Sequence, residues 1–287
     1  MSRVATRRAS GRSAIVSQAA LDLRRGPDHR EELRSQLLLG ETVQVLRAAK
    51  ESGWLEVRGV EDGYQGWVRA WGLMPATLAG ARRWRARATA RVVSPFVEAR
   101  SRPAGGWLVT PLFWGTRVVP GPRRGRSRAL RLPDRRTAWV PARSLMQARR
   151  PTLERRVQEL LGVPYLWGGR TPAGLDCSAF AQLLLAEQGV DLPRDTADQI
   201  EAAAALGPRV RPRSGDLIFF RARSGRVGHV GVGLGNGYFA HCRGTVRIGS
   251  LEPDNPLYDS ELDGTEVGWF RPRTGSVSRA SVGPSRG

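Results

Sequence analysis

Cys177 is one of two cysteines in this 287-residue chain, and its neighbours suit it to nucleophilic chemistry. It lies in Gly174-Leu175-Asp176-Cys177-Ser178-Ala179-Phe180, where Asp176 is a good helix N-cap and Phe180, Ala181, Leu183, Leu184 and Leu185 form an apolar run. Gly189 and Pro193 stop that run, so the pattern predicts a largely buried helix with Cys177 in its first turn. Unpaired N–H groups and the helix dipole at that end favour a thiolate, so the expected pKa lies well below the free-thiol value of about 8.5. A lone cysteine is more often a small buried hydrophobe than a nucleophile. Two histidines downstream reverse that weighting.

Gly228-His229-Val230-Gly231-Val232-Gly233-Leu234 and Tyr238-Phe239-Ala240-His241 read as two strands joined at Gly235-Asn236-Gly237. Val230, Val232 and Leu234 alternate with His229, Gly231 and Gly233, giving one apolar face and one face that carries His229 with room beside it for another element. Loop length decides whether the histidines cooperate. A two-residue Asn-Gly turn pairs His241 with Val232 and sends the imidazoles to opposite faces; a three-residue Gly-Asn-Gly loop pairs His241 with Gly231 and leaves both on one face. The three-residue loop is the expected one. A thiol, an imidazole to take its proton and a polar group to fix the imidazole tautomer make the constellation for acyl transfer through a thioester. Cys177 is then the nucleophile, His229 its base and His241 the orienting group.

His229 follows Cys177 by 52 residues and His241 follows His229 by 12. On Asp176-Cys177-Ser178, Gly228-His229-Val230-Gly231-Val232 and His241, the chain from about 151 to 273 resembles the NlpC-type cell-wall peptidases. Tyr165-Leu166-Trp167-Gly168-Gly169 and Ser214-Gly215-Asp216-Leu217-Ile218-Phe219-Phe220 carry the same resemblance. Ala179 stands where that family usually has glycine, a change that suits a helix. The resemblance implies a papain-like α+β domain, and it implies that Tyr165 supplies an oxyanion-stabilising hydroxyl rather than a plain core aromatic.

The elements that must position these residues begin with Thr152 to Leu161, read as a helix with Thr152 as its cap and Leu153, Val157, Leu160 and Leu161 on one stripe. Upstream, Val43 to Leu46, Trp54 to Val57 and Gly66 to Arg69 read as short strands around the Asp62-Gly63 turn signal. A similar order returns about 75 residues later: Gly40-x-x-Val43 recurs as Gly115-x-x-Val118, and Trp67-Val68 as Trp139-Val140. Both copies resemble bacterial SH3-like barrels, with Gly121 to Ala129 of the second read as a loop. The expected organisation is an arm at 1–13, SH3-like barrels at 14–78 and 79–148, an NlpC-type cysteine peptidase domain at 149–273 and a disordered tail at 274–287.

In the SH3-bearing members, which cleave γ-D-glutamyl bonds in muropeptides, the matching aspartate also faces the substrate's free amine, with a glutamate and a tyrosine from the first barrel. The resemblance places these at Asp176, Glu32 and Tyr64, with Glu31 the rival for Glu32, and implies substrate contacts from Ser178 and Thr196. The first barrel would then wall off the cleft. The implied substrate is a murein peptide with a free N-terminal L-alanine, cleaved at the γ-D-glutamyl-L-diamino acid bond by a monomeric enzyme. Two other classes stay open: a non-catalytic peptidoglycan-binding module, and an arginine-rich nucleic-acid binder. Of 46 basic residues against 26 acidic ones only Lys50 is lysine, a usage read as compositional, so nucleic acid is not a required partner despite the net charge of +20. Neither cofactor nor metal is expected. Cys177, Cys242, His229 and His241 are zinc-ligand types, but adjacent strand residues such as His241 and Cys242 point to opposite faces. Met1 to Ser35 holds no apolar signal core and no run of about 18 apolar residues occurs, so no membrane span is expected and the reading is cytoplasmic.

Overall fold

A computed structural model describes residues 12–50, 53–145 and 150–273; the expected tail and most of the N-terminal arm lie outside the described residues. The chain forms two compact units, Met1–Arg149 and Arg150–Gly287. No helix among the described residues is long and apolar enough to cross a membrane.

The first unit holds two antiparallel sheets. Strands β1 (Arg12–Val16), β2 (Ala20–Arg24), β3 (Leu33–Leu38), β4 (Thr42–Ala48), β5 (Trp54–Gly59), β6 (Gln65–Arg69) and β7 (Leu73–Ala76) lie in the order β3-β2-β6-β5-β4-β1-β7. Period-two alternation turns Val16, Leu21, Leu23, Val43, Val45, Val57 and Val68 into one core, the arrangement an SH3-like barrel needs. Helix α1 (Leu78–Arg87), not foreseen in the sequence, follows, with Thr77 Oγ1 accepting from Gly80 N–H as its cap. Strands β8 (Ala90–Arg91), β9 (Phe96–Arg102), β10 (Gly105–Phe113), β11 (Arg117–Arg124), β12 (Ser127–Arg131) and β13 (Thr137–Pro141) form the second sheet around Val92, Leu112, Val118, Leu130 and Val140. The segment Gly121 to Ala129, expected to be a loop, is instead the paired end of β11 and β12, turning at Gly125. Its Arg-Gly-Ser composition mimics a linker; Gly121 packs so closely over Ala129 that a Cβ there would stand 3.0 Å from the alanine methyl.

The second unit places a helical layer on a mixed-length antiparallel sheet. Helix α2 (Leu153–Leu160) starts where Thr152 Oγ1 accepts from Arg155 N–H, and buries Leu153, Val157 and Leu160. Leu161, expected on that stripe, lies past the last turn and is exposed. The short hairpin β14 (Arg170–Thr171) and β15 (Gly174–Leu175) leads into helix α3 (Cys177–Gln188), which ends at Gly189 in the left-handed conformation that glycine adopts without penalty. A buried Arg156–Glu187 pair, bidentate at 2.8 Å in both bonds, ties α2 to α3. Helix α4 (Thr196–Glu201) precedes β16 (Ala203–Ala205), β17 (Leu217–Arg221), β18 (Val227–Gly235), β19 (Tyr238–Arg243), β20 (Thr245–Ser250) and β21 (Glu266–Pro272), in the order β16-β21-β17-β18-β19-β20. Helix α3 packs against β18 and β19, which brings its first turn to the histidine strands.

Candidate active site

The seat of Cys177 is built around one carboxylate. Asp176 Oδ1 caps α3 by accepting from Ala179 N–H at 2.7 Å, and also accepts from Ser178 Oγ (3.1 Å) and Arg194 Nη1 (3.0 Å). Its Oδ2 accepts from Gly168 N–H at 3.0 Å and from Arg194 Nη2 at 2.6 Å. Five donors therefore fill an anion that offers about four lone-pair sites. Cys177 itself is buried, with its sulfur against the backbone N–H of Val230 and 3.9 Å from Thr196 Oγ1. The thiol thus abuts the strand residue next to His229.

His229 and His241 are on one face, as expected, but by a different device. Gly231 pairs with His241, Val232 with Ala240 and Gly233 with Phe239, and then Gly235 pairs with Tyr238. The connection is therefore a two-residue Asn236-Gly237 turn, both residues at positive φ, and the extra residue is Leu234, a bulge within β18. The three-residue loop is corrected; the register it was invoked to explain stands. A second bulge at Gly228, where Phe220 pairs with His229 and Arg221 with Val227, immediately precedes the histidine. The room expected at the two glycines after His229 is taken by side chains of neighbouring strands. Phe239 and Ile218 fill it at Gly231, and Trp269 at Gly233.

His229 Nε2 and His241 Nδ1 are 2.8 Å apart. Behind them, Arg247 Nε donates to His241 Nε2 at 3.2 Å and Arg247 Nη2 donates to Asp259 Oδ2 at 2.8 Å, while Asp259 Oδ2 is 3.6 Å from His241 Nε2. Burial, with Arg243 and Arg247 adding to it and Asp259 opposing, pulls the His229 pKa down to about 4; burial and His229 itself pull His241 to about 2. Burial and the Asp176 charge push the Cys177 thiol up to about 11. This corrects the expectation of a depressed thiol pKa: the helix dipole is outweighed by desolvation, and the one carboxylate nearby is also of the wrong sign. The resting pair is neutral thiol and neutral imidazole.

Stability should record those neutral histidines. In the unfolded chain an imidazole titrates near 6.5, so on acidification it binds a proton that the folded chain refuses until about pH 4 for His229. Stability is complete above about 6.5 and falls as pH drops below it, by about 1.4 kcal/mol per pH unit for each histidine. Denaturant unfolding at pH 7 and pH 5 should show this slope, and His241→Asn should make it shallower. An equal slope in the variant would contradict the neutral assignment.

Tyr165 lies beside this group, its pKa raised by burial and then by Cys177 and Asp176, so its hydroxyl keeps its proton and can donate. Thr196 opens α4 and reaches the sulfur, whereas Ser178 is buried between Asp176 and Arg194, its oxygen accepting from Arg194 Nη1 at 2.8 Å. Five donors, two of them from Arg194, occupy the Asp176 carboxylate, so a substrate ammonium would have to displace one of them. Cys242 points the other way, its Sγ–H donating to Leu175 O at 3.1 Å. In the first unit, Glu31 pairs with Arg25, and Glu32 is exposed. Two residues on, Arg34 stacks over the Tyr64 ring at 5.1 Å. Sequence reasoning missed Arg194, Arg247 and Asp259. The Pro193-Arg194-Asp195 string carried no signal of its own, and Asp259 lies in a loop far along the chain.

Residues 162–265 match the model of the NlpC/P60 family. That part of the chain belongs to the NlpC/P60 family. Residues 23–73 match a bacterial dipeptidyl-peptidase SH3 domain. In fold the chain is an α+β domain of NlpC/P60 type preceded in sequence by an SH3-like one. The chain is 37% identical over 105 residues to the γ-D-glutamyl-L-lysine dipeptidyl-peptidase of Bacillus subtilis, covering 36% of this chain and 35% of that one. It is 48% identical over 82 residues to the murein DD-endopeptidase MepS/murein LD-carboxypeptidase of Escherichia coli, covering 28% and 42%. Both of these matches thus span well under two thirds of the relative's length. The γ-D-glutamyl-L-lysine dipeptidyl-peptidase of Bacillus cereus matches at 26% over 260 residues, 81% of this chain and 74% of that one. An NlpC/P60 family crystal structure from Bacillus cereus superposes with a TM-score of 0.72 at 23% identity over 90% of this chain and 98% of that one, which establishes the fold.

Proposed function

We propose that this NlpC/P60 protein is a cysteine peptidase that hydrolyses the γ-D-glutamyl-L-diamino acid bond of murein peptides bearing a free N-terminal L-alanine, as a cytoplasmic monomer. The observation that carries the reading is Cys177 seated at the helix N-terminus against Val230 N–H, with the His229–His241 pair on the adjoining strands. His229 Nδ1 takes the thiol proton as sulfur attacks the γ-carbonyl; the helix-end N–H groups and the Tyr165 hydroxyl receive the oxyanion. The same proton passes to the departing amine, leaving a thioester at Cys177. Water, deprotonated by His229, then releases the acid and restores the thiol.

This sequence needs a particular tautomer. His229 Nε2 is committed to His241, so only Nδ1 is left for the thiol, and it must begin without a proton. His229 then donates from Nε2 to His241 Nδ1, and the proton of His241 must sit at Nε2, which requires the 3.2 Å Arg247 bond to that nitrogen to give way to Asp259 Oδ2, 3.6 Å from it. Arg247, which can only donate, favours the opposite tautomer at that nitrogen. Asp259 is thus a positioning residue for the base and Arg247 its opponent. Asp259→Asn is expected to lower kcat about tenfold to a hundredfold with little change in KM, loss of tautomer control in related triads costing still more. Arg247→Met should spare kcat and move the acid limb of the pH profile upward, because a cation that depresses His229 is gone. An Asp259→Asn enzyme with unchanged kcat would remove Asp259 from the relay.

Incubating the protein with L-Ala-γ-D-Glu-diaminopimelate and identifying the products by mass tests the activity. The dipeptide L-Ala-D-Glu and free diaminopimelate are expected. Intact peptide, or cleavage elsewhere, would refute the assignment.

A further inference from the structure

The net charge is not spread evenly. Residues 79–145 hold 16 arginines against Glu98 and Asp134 alone, so they account for 14 of the chain's +20. A purely compositional origin would leave acids there in the proportion found elsewhere. Six of these arginines and no acid lie in the β11–β12 hairpin between Arg117 and Arg131. Arg123 is directly opposite Arg128 across the ladder, a like-charge pairing that costs stability when nothing offsets it. Glu98 is taken by Arg100 and Asp134 by Arg136, and among the described residues Arg102, Arg123, Arg124, Arg126 and Arg128 have no ion pair.

Apolar groups are exposed at the same end of this barrel. Ser127 Oγ, at the tip of β11–β12, donates to Pro103 O, at the tip of β9–β10, so the two turns are neighbours. Just past the second turn, β10 bulges and exposes Trp107 (69%) and Leu108 (48%). Arg124 stacks over Trp139, and between the hairpins runs a groove of about 550 Å³ lined by Phe96, Arg102, Pro103 and Trp139.

We propose that this end of the second barrel docks on an anionic phospholipid surface, with Trp107 and Leu108 entering the interface and the arginines meeting headgroup phosphates. Charge alone would serve any polyanion. A tryptophan and a leucine held out on a hairpin flanked by guanidinium groups is the amphipathic pattern of a bilayer interface, where the rings gain by partial burial and each nearby arginine adds to the attraction. Binding of this kind is peripheral and salt-sensitive. It stands apart from the peptidase reading and touches none of the proposed catalytic residues.

The full chain is mixed with phosphatidylglycerol-containing phosphatidylcholine vesicles or pure phosphatidylcholine vesicles and sedimented, and tryptophan emission is recorded. The proposal expects association with the anionic vesicles only, a blue shift, and loss of binding at high salt. Arg123→Glu with Arg126→Glu should weaken association at least about twentyfold, each lost arginine being worth about fivefold. Trp107→Ser should abolish the blue shift and weaken binding while leaving thermal stability and peptide cleavage unchanged. Equal binding of the variants would overturn it. So would tight binding to single-stranded DNA or polyphosphate without vesicle association, which would mark a general polyanion site.

Discussion

Cys177→Ala and His229→Ala should each abolish peptide cleavage, by at least about ten-thousandfold, and the double variant should be no worse than either. The non-additivity is the informative part. Thiol and imidazole act as one unit in forming the thioester, so the second loss removes nothing that the first has left working. Both variants should fold, since alanine at either position leaves the Asp176 network and the β18 bulges untouched. Cys177→Ser should be inactive too: with the imidazole near 4 and the thiol already near 11, a still weaker acid cannot surrender its proton. The same values predict a slow reaction of Cys177 with iodoacetamide at pH 7 that accelerates as pH rises, in contrast to a preformed thiolate–imidazolium pair. His241→Asn should keep measurable activity, because an amide oxygen can accept the His229 Nε2–H bond. A serine variant with most of its activity, or a double variant far worse than either single, would overturn the paired nucleophile and base.

Acetylating the substrate's N-terminal alanine should cost at least about a hundredfold in kcat/KM, the scale on which a site built for a polar group rejects an analogue lacking it. The requirement is expected to rest on Glu32 and Tyr64, since Asp176 has its carboxylate filled by Arg194 and three other donors. A carboxylate facing an ammonium is compensated; facing an acetamide it is desolvated with no partner. Glu32→Gln should therefore slow cleavage of the free-amine peptide and narrow the gap between the two substrates, with Glu31→Gln as the silent control because Glu31 is paired with Arg25. Parallel assays on the free and acetylated peptides check both statements. Equal rates on the two would refute the amine requirement while leaving the thiol chemistry intact.

The parts of this molecule that could be read from the sequence are those dictated locally. Asp176 before an apolar run, closed by Gly189, specified α3 and the first-turn place of Cys177; Thr152 specified α2; alternation in β18 specified which face carries His229. What escaped were properties set by neighbours distant in the chain. The elevated thiol pKa follows from burial under β18, which no local pattern reports, and it outweighs a helix-end effect of about a kcal/mol. Arg194, Arg247 and Asp259 are ordinary charges in sequence and become partners of the site only when the loops holding Arg194 and Asp259 fold back and β20 pairs with β19, setting Arg247 opposite His241. The Arg-Gly-Ser stretch was misread for the same reason: its strand character comes from pairing with β12 and β13, since its composition is that of a linker.

The Leu234 bulge has a practical corollary for anyone wishing to alter this domain. Because the extra residue is absorbed inside β18, the alignment of His229 with His241 is decided before the chain reaches Gly235, and the turn itself carries no instruction for the two imidazoles. The Asn236-Gly237 tip is therefore a tolerant grafting point, where an affinity peptide or a reporter domain could be spliced in while the relay, and the helix that holds the thiol against it, keep their spacing.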